Sequence, residues 1–230
     1  MNTITQHLQD VYDRIADAAR HAGREPHETD LLAVSKTKPA TDVAAAWAAG
    51  QRRFGENYVQ EAVDKITALK KTCPDIEWHL IGPLQSNKSR PVAEHFDWVQ
   101  TVDRLKIAQR LNDQRPPHMR PLNVCLQINV SGEASKSGLS PTEAEALAEQ
   151  VAALPRLCLR GLMAIPEATD NSDTLRAQLL ELKQLFDRMQ KKHPQLDTLS
   201  MGMSNDLELA VACGSTLVRV GTAIFGSRNP

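Results

Sequence analysis

Eight short apolar runs, each followed by a longer stretch of helical character, divide the 230 residues and constrain the fold more than any other feature. The runs are LLAVSK at 31–36, QRRFGEN at 51–57, EWHLIG at 77–82, FDWVQTV at 96–102, NVCLQINV at 123–130, LCLRGLMAI at 157–165, LDTLSMG at 196–202 and STLVRVGT at 215–222. The first is apolar on both faces, as a strand of a parallel sheet covered by helices must be. The intervening stretches predict one helix that opens at Pro39 and runs to about Ala49, and others near 58–71, 85–94 and 103–113. Further helices are expected from Pro141, from near Asp173, just after Ser204 and near the C-terminus.

Eight strand and helix pairs match the count of a TIM (β/α)8 barrel. An open doubly wound sheet is the rival arrangement. The strands are short and evenly spaced, and no GxGxxG fingerprint follows the first of them, which favours the barrel. Ahead of the first strand, Ile4, Leu8, Val11, Tyr12, Ile15 and Ala19 recur at spacings of three and four, so an extra N-terminal helix should lie with one stripe against the body. No Pro/Gly-rich linker interrupts the pattern. The expectation is an α/β chain forming a single domain over residues 1–230.

Composition narrows the function classes. The chain is 41% hydrophobic and 24% charged, with 27 basic residues against 28 acidic, which excludes a disordered chain and the basic field of a nucleic-acid binder. The first residues carry charges throughout and hold no apolar core of the length of a secretory signal or a membrane span. Four widely spaced cysteines, Cys73, Cys125, Cys158 and Cys213, form no CxxC pair and read as reduced, mostly buried thiols. These features predict a cytoplasmic protein without nucleic-acid or membrane partners, and the near-neutral charge suits a monomer.

A barrel keeps its chemistry at the C-terminal ends of its strands. In LLAVSK, alternation sets Leu32, Val34 and Lys36 on one side and Leu31, Ala33 and Ser35 on the other, so the first strand ends in Lys36. An amine in such a setting is partly desolvated, which favours the neutral form that attacks carbonyls. The bland alternative is a rim lysine turned to solvent or paired with a carboxylate. Lys38 competes, but it directly precedes Pro39, where the chain is extended and leaving the barrel.

At the last two strands, GMSND offers Ser204 and Asn205 as helix caps with free amides beyond them, and VRVGT offers Gly221 for close backbone approach and Thr222 for a hydroxyl. Together they suit a phosphate. Arg219 lies on the same side of its strand as Gly221, and a buried arginine there needs an acceptor, for which an internal carboxylate is the ordinary partner. Asn57 closes the second strand, while His79 reads as a hydrogen-bonded core residue. Gln127 and Asn129 receive no role. HExxH, EF-hand, Walker A and GxSxG motifs are absent from the sequence. An amine at one end and an anion cradle at the other would suit an aldehyde bearing a phosphate, and pyridoxal 5'-phosphate is such a molecule.

Taken in order, LLAVSKTKPA, FGENYVQE, WHLIGPLQSNK, GLMAI, LSMGMSND and VRVGTAIFG resemble the pyridoxal phosphate homeostasis family of the YggS type, over essentially the whole chain. The resemblance implies a barrel related to the N-terminal barrel of alanine racemase. It makes Lys36 the lysine that forms the imine with the cofactor and sets Arg219 against the pyridine nitrogen. It places Ser204, Gly221 and Thr222 on the phosphate and Asn57 beside the ring. A permanent cation at the pyridine nitrogen weakens the ring as an electron sink.

The function so implied is binding and buffering of pyridoxal phosphate in vitamin B6 and amino-acid homeostasis, without established catalysis and with recipient apoenzymes left open. The alternative is a pyridoxal-phosphate-dependent racemase, which needs a second acid/base group opposite the lysine. Alanine racemases place that tyrosine on an additional domain, and the tyrosines here are Tyr12 and Tyr58. A phosphosugar isomerase or lyase would reuse the same cradle and lysine without a cofactor.

Overall fold

The computed structural model describes residues 3–131, 137–167 and 169–227. Helix α1 spans Thr3–His21 and buries Leu8, Val11, Ile15, Ala18 and Ala19, the stripe expected from spacing. Eight strands follow: β1 Asp30–Val34, β2 Arg53–Glu56, β3 Glu77–Leu80, β4 Trp98–Val102, β5 Leu122–Ile128, β6 Leu157–Ala164, β7 Thr198–Ser200 and β8 Leu217–Val220. Between and after them lie α2 Ala40–Ala48, α3 Val59–Leu69, α4 Ser89–His95, α5 Leu105–Gln114, α6 Pro141–Ala152, α7 Ser172–Lys192, α8 Leu207–Ala212 and α9 Thr222–Phe225.

The strands pair in parallel and in sequence order, and β8 closes on β1 with Leu32 opposite Arg219. The closed barrel replaces the open-sheet rival. Helix α1 packs against α8 and α9, and Arg14 pairs with Glu208 across that contact. The largest apolar layer lies between strands and helices and includes fully buried Phe54, Leu80, Phe96, Leu122 and Leu126. Each such side chain contributes roughly 1.5–3 kcal/mol.

Residues of alternate parity point into the lumen, where Leu32, Ile81 and Leu217 form one small cluster and Trp98, Cys125 and Met163 another. At the N-terminal ends of the strands, Arg53 pairs with Asp30 and Glu77, and Arg160 pairs with Asp197. These bridges form the floor of the barrel. No helix among the described residues is long and apolar enough to cross a membrane.

The strands are shorter than the apolar runs. β1 stops at Val34, two residues before Lys36, because Thr37 adopts a left-handed φ of 62° and turns the chain out of the sheet. Pro39 is the N-cap of α2 rather than its first helical residue, held extended at ψ 158°.

Candidate functional site

A cleft of about 460 Å³ opens at the C-terminal end of the barrel, and Lys36, Asn57, Ser204, Arg219, Gly221 and Thr222 all line it. These are all six residues expected from the sequence. Apolar walls come from Val34, Ile81, Ile165 and Met203. The polar groups arrive from four places: the turn after β1, the turn after β2, the loop after β7, and β8 with the first turn of α9. Lys38 is not among the lining residues, and its Nζ donates instead to the Ser227 carbonyl at 2.7 Å.

Lys36 sits half-buried in a backbone segment clamped on both sides. Lys65 of α3 donates from Nζ to the Ser35 carbonyl at 2.7 Å, to Glu56 Oε1 at 2.8 Å and to Glu61 Oε1 at 2.6 Å. Ser35 Oγ donates to Glu56 Oε1 at 2.6 Å, and the Thr37 amide donates to Glu61 Oε1 at 2.6 Å. The residues before and after Lys36 are therefore tied to one polar knot beneath the barrel rim. Burial pushes the Glu56 carboxyl up from its ordinary value, and the hydrogen bonds from Lys65 and Ser35 oppose that rise. Sequence reading missed this knot, because a lysine in DKITALKK looks like an ordinary surface residue of a helix.

Arg219 is 4% exposed and donates from Nη1 to Ser200 Oγ and from Nη2 to the Ala164 carbonyl, each at 2.8 Å. The expected carboxylate partner is not in contact; a hydroxyl and a carbonyl take its place. Desolvation pushes the guanidinium down to about 10, so it stays charged at neutral pH. Two of its five N–H donors are occupied by protein acceptors, which leaves donors for a ligand in the cleft it lines.

The loop after β7 turns at Gly202, whose φ is 98°, and its Met203 amide donates to Asp206 Oδ1 at 2.6 Å. Asp206 occupies the N-cap position of α8, without a side-chain capping bond, where Ser204 or Asn205 was expected. The amides of Ser204, Asn205 and Thr222 have no backbone carbonyl acceptor among the described residues. Gly221 passes so close to β1 that a Cβ there would lie 3.0 Å from the Val34 carbonyl.

Across the cleft, the Asn57 side-chain oxygen is buried without a hydrogen-bond partner. Its backbone is pressed against Gly82, where any Cβ would collide with the Asn57 carbonyl. An amine, a permanent cation, open amides and an unmet acceptor around one cleft suit a ligand with both a carbonyl and an anionic group. No cluster of metal-ligating residues occurs among the described residues.

The remaining polar candidates lie elsewhere. His79 is buried in the lumen, bonded to Glu77 and Gln100 and stacked on Trp98. Gln127 lines a neighbouring recess with Asn57, Ile81 and Thr101, and Asn129 accepts from Ser131 Oγ beyond the end of β5. Tyr12 donates to Gln51 and borders Asp30, Arg53 and Glu77, at the floor and not at the mouth. Tyr58 is 55% exposed and does not line the cleft.

Comparison with known proteins agrees with this geometry. The family model described as "Alanine racemase, N-terminal domain" matches residues 6–229. The pyridoxal phosphate homeostasis protein of Escherichia coli K12 is 56% identical over 230 residues, covering all of this chain and 98% of that protein. The protein of the same name in Pseudomonas aeruginosa is 57% identical over 229 residues, with 100% of this chain and 97% of that one covered. Among solved structures, PipY of Synechococcus elongatus with PLP bound superimposes with a TM-score of 0.80 at 40% identity, over 92% of this chain and 100% of that one.

Proposed function

Since the chain belongs to the pyridoxal phosphate homeostasis family, built on the alanine racemase N-terminal domain, we propose that its cleft holds pyridoxal 5'-phosphate covalently through Lys36. The observation that carries this reading is the convergence of an amine, a buried cation and a set of open amides, from four separate chain segments, on one 460 Å³ cleft. The unpartnered Asn57 oxygen and the close approach of Gly221 fit a flat, polar, phosphorylated ligand.

Bound pyridoxal phosphate supplies an aldehyde that condenses with a primary amine, with loss of water. Lys36 provides that amine from a backbone segment which Lys65 and Glu61 hold in place. Ser204, Gly221 and Thr222 receive the phosphate through amides and hydroxyls. Arg219 would face the ring nitrogen, and Asn57 would border the ring. Because Arg219 stays cationic and donates only, it would disfavour protonation of that nitrogen and so weaken the ring as an electron sink. Ile81, Ile165 and Met203 give the cleft apolar surface against which a flat ring can pack.

The protein, in this reading, is a single cytoplasmic domain and a monomer that stores and hands over the cofactor to apoenzymes, with no turnover of its own. A racemase would need a second proton donor facing Lys36, and neither tyrosine borders the cleft. The deciding experiment is absorbance of the purified chain with added pyridoxal phosphate, followed by borohydride reduction and peptide mapping. A reducible yellow band mapping to Lys36 is expected. No band, or a label on another lysine, overturns the reading.

A further inference from the structure

The partner of Arg219 does not end the chain of contacts. Ser200 Oγ, which accepts from Arg219, donates to Gln100 Oε1 at 2.6 Å. Gln100 Nε2 in turn meets His79 Nδ1 at 2.9 Å, and His79 Nε2 meets Glu77 Oε1 at 2.9 Å. Ser200 lies on β7 and Gln100 on β4, strands that are not neighbours, so their bond crosses the lumen. Ser200 and Gln100 are fully buried and His79 is 1% exposed. The path therefore runs from the cleft at the mouth to the ion pairs at the floor, where Arg53 holds Glu77.

The two ends set its direction. A guanidinium only donates and a carboxylate only accepts, so each group between them passes its hydrogen the same way. Ser200 spends its single proton on Gln100, whose amide N–H then requires an accepting Nδ1 on His79. That leaves the His79 proton on Nε2, facing Glu77. Burial favours the neutral imidazole, as does the positive charge of Arg53 and Arg160, while Glu77 opposes them; Trp98 stacks on the ring at 4.9 Å between centroids.

The order matters because Arg219 is a buried cation with no carboxylate in hydrogen-bond contact, Asp206 acting on it only from a distance. Aligned hydrogen bonds in a low-dielectric interior polarise one another and present their negative ends to the cation. We propose that Ser200, Gln100 and His79 are positioning residues that relay the charge of Glu77 to Arg219, fixing the guanidinium and its protonation where it meets the cofactor. The idea rests on the functional reading above, since it assigns a purpose to residues that never touch the ligand.

Two measurements test it. In Gln100→Met, which keeps the side-chain length but neither donates nor accepts strongly, uptake of pyridoxal phosphate should weaken about tenfold and the absorbance band of the bound cofactor should move. The covalent link to Lys36 should persist. A folded variant with affinity within about twofold of the parent and an unmoved band overturns the relay. Nitrogen NMR of His79 in the ligand-free parent chain should show the neutral Nε2–H tautomer at neutral pH, and an Nδ1–H tautomer or an imidazolium overturns it even if Gln100→Met fails to fold. A parent chain that takes up no pyridoxal phosphate refutes the functional reading, whereas the tautomer still decides the relay.

Discussion

Lys65 Nζ lies 2.7 Å from the carbonyl oxygen of Ser35, so a lysine on α3 holds the backbone directly before Lys36. The same ammonium compensates Glu56, which is fully buried. Replacing Lys65 with Met should leave that carboxylate uncompensated and cost about 3–5 kcal/mol, read as a lower urea midpoint. Part of the loss should return in mild acid, because burial already raises the Glu56 pKa and protonation removes the stranded charge. A midpoint within error of the parent would show that the knot adds nothing.

Lys36→Ala should abolish the borohydride-fixed mass increase from pyridoxal phosphate while changing stability by less than about 1 kcal/mol, since Lys36 lies outside the buried core. Intact-protein mass spectrometry checks the first point and denaturant unfolding the second. Retained labelling would move the bond to another lysine, with Lys38 the first to examine.

Gly82→Ala should disturb the cleft without touching a lining side chain. The new Cβ collides with the Asn57 carbonyl, and backbone cannot yield as a flexible side chain would. Asn57 must shift, so cofactor affinity should fall about tenfold and stability by about 1–3 kcal/mol. An unchanged dissociation constant would remove Asn57 from the ligand's surroundings.

His79 gives the protein an acid limb. Desolvation lowers its pKa below the ordinary 6.5, with Glu77 opposing and Arg53 and Arg160 adding to the fall. The unfolded chain therefore binds a proton that the folded chain refuses, and stability should drop as pH falls below about 6.5, by up to about 1.4 kcal/mol per pH unit. His79→Gln should flatten that part of the profile. Urea titrations across this range in both chains provide the check, and parallel profiles would refute the assignment.

The barrel and the mouth residues were legible because both follow local rules. Alternation in LLAVSK keeps Val34 and Lys36 on the cleft side even though β1 ends at Val34. What escaped sequence reading depends on distant or unlikely pairings. Gln100 and Ser200 lie a hundred positions apart, and neither residue type announces a lumen crossing. Lys65 reads as one half of an exposed i,i+4 pair with Glu61, and nothing local shows that the fully buried Glu56 will take its other side. Thr37 gives no hint of a positive φ, which β-branched residues rarely adopt, and that turn shortens the first strand. Ser204 and Asn205 looked like caps by residue type, yet α8 begins after Asp206, whose side chain turns back to the Met203 amide.

Between the cleft and the floor, the lumen is filled by Leu32, Ile81, Leu217, Trp98, Cys125 and Met163. A vessel filled in this way has no passage from one end to the other, so the cleft has a single doorway. Whatever occupies the cleft must leave by the route it came, so arrival and departure compete for one opening and cannot run as a through-flow. That opening is bordered by Ile165 and Met203, which stand exposed at 46% and 41%.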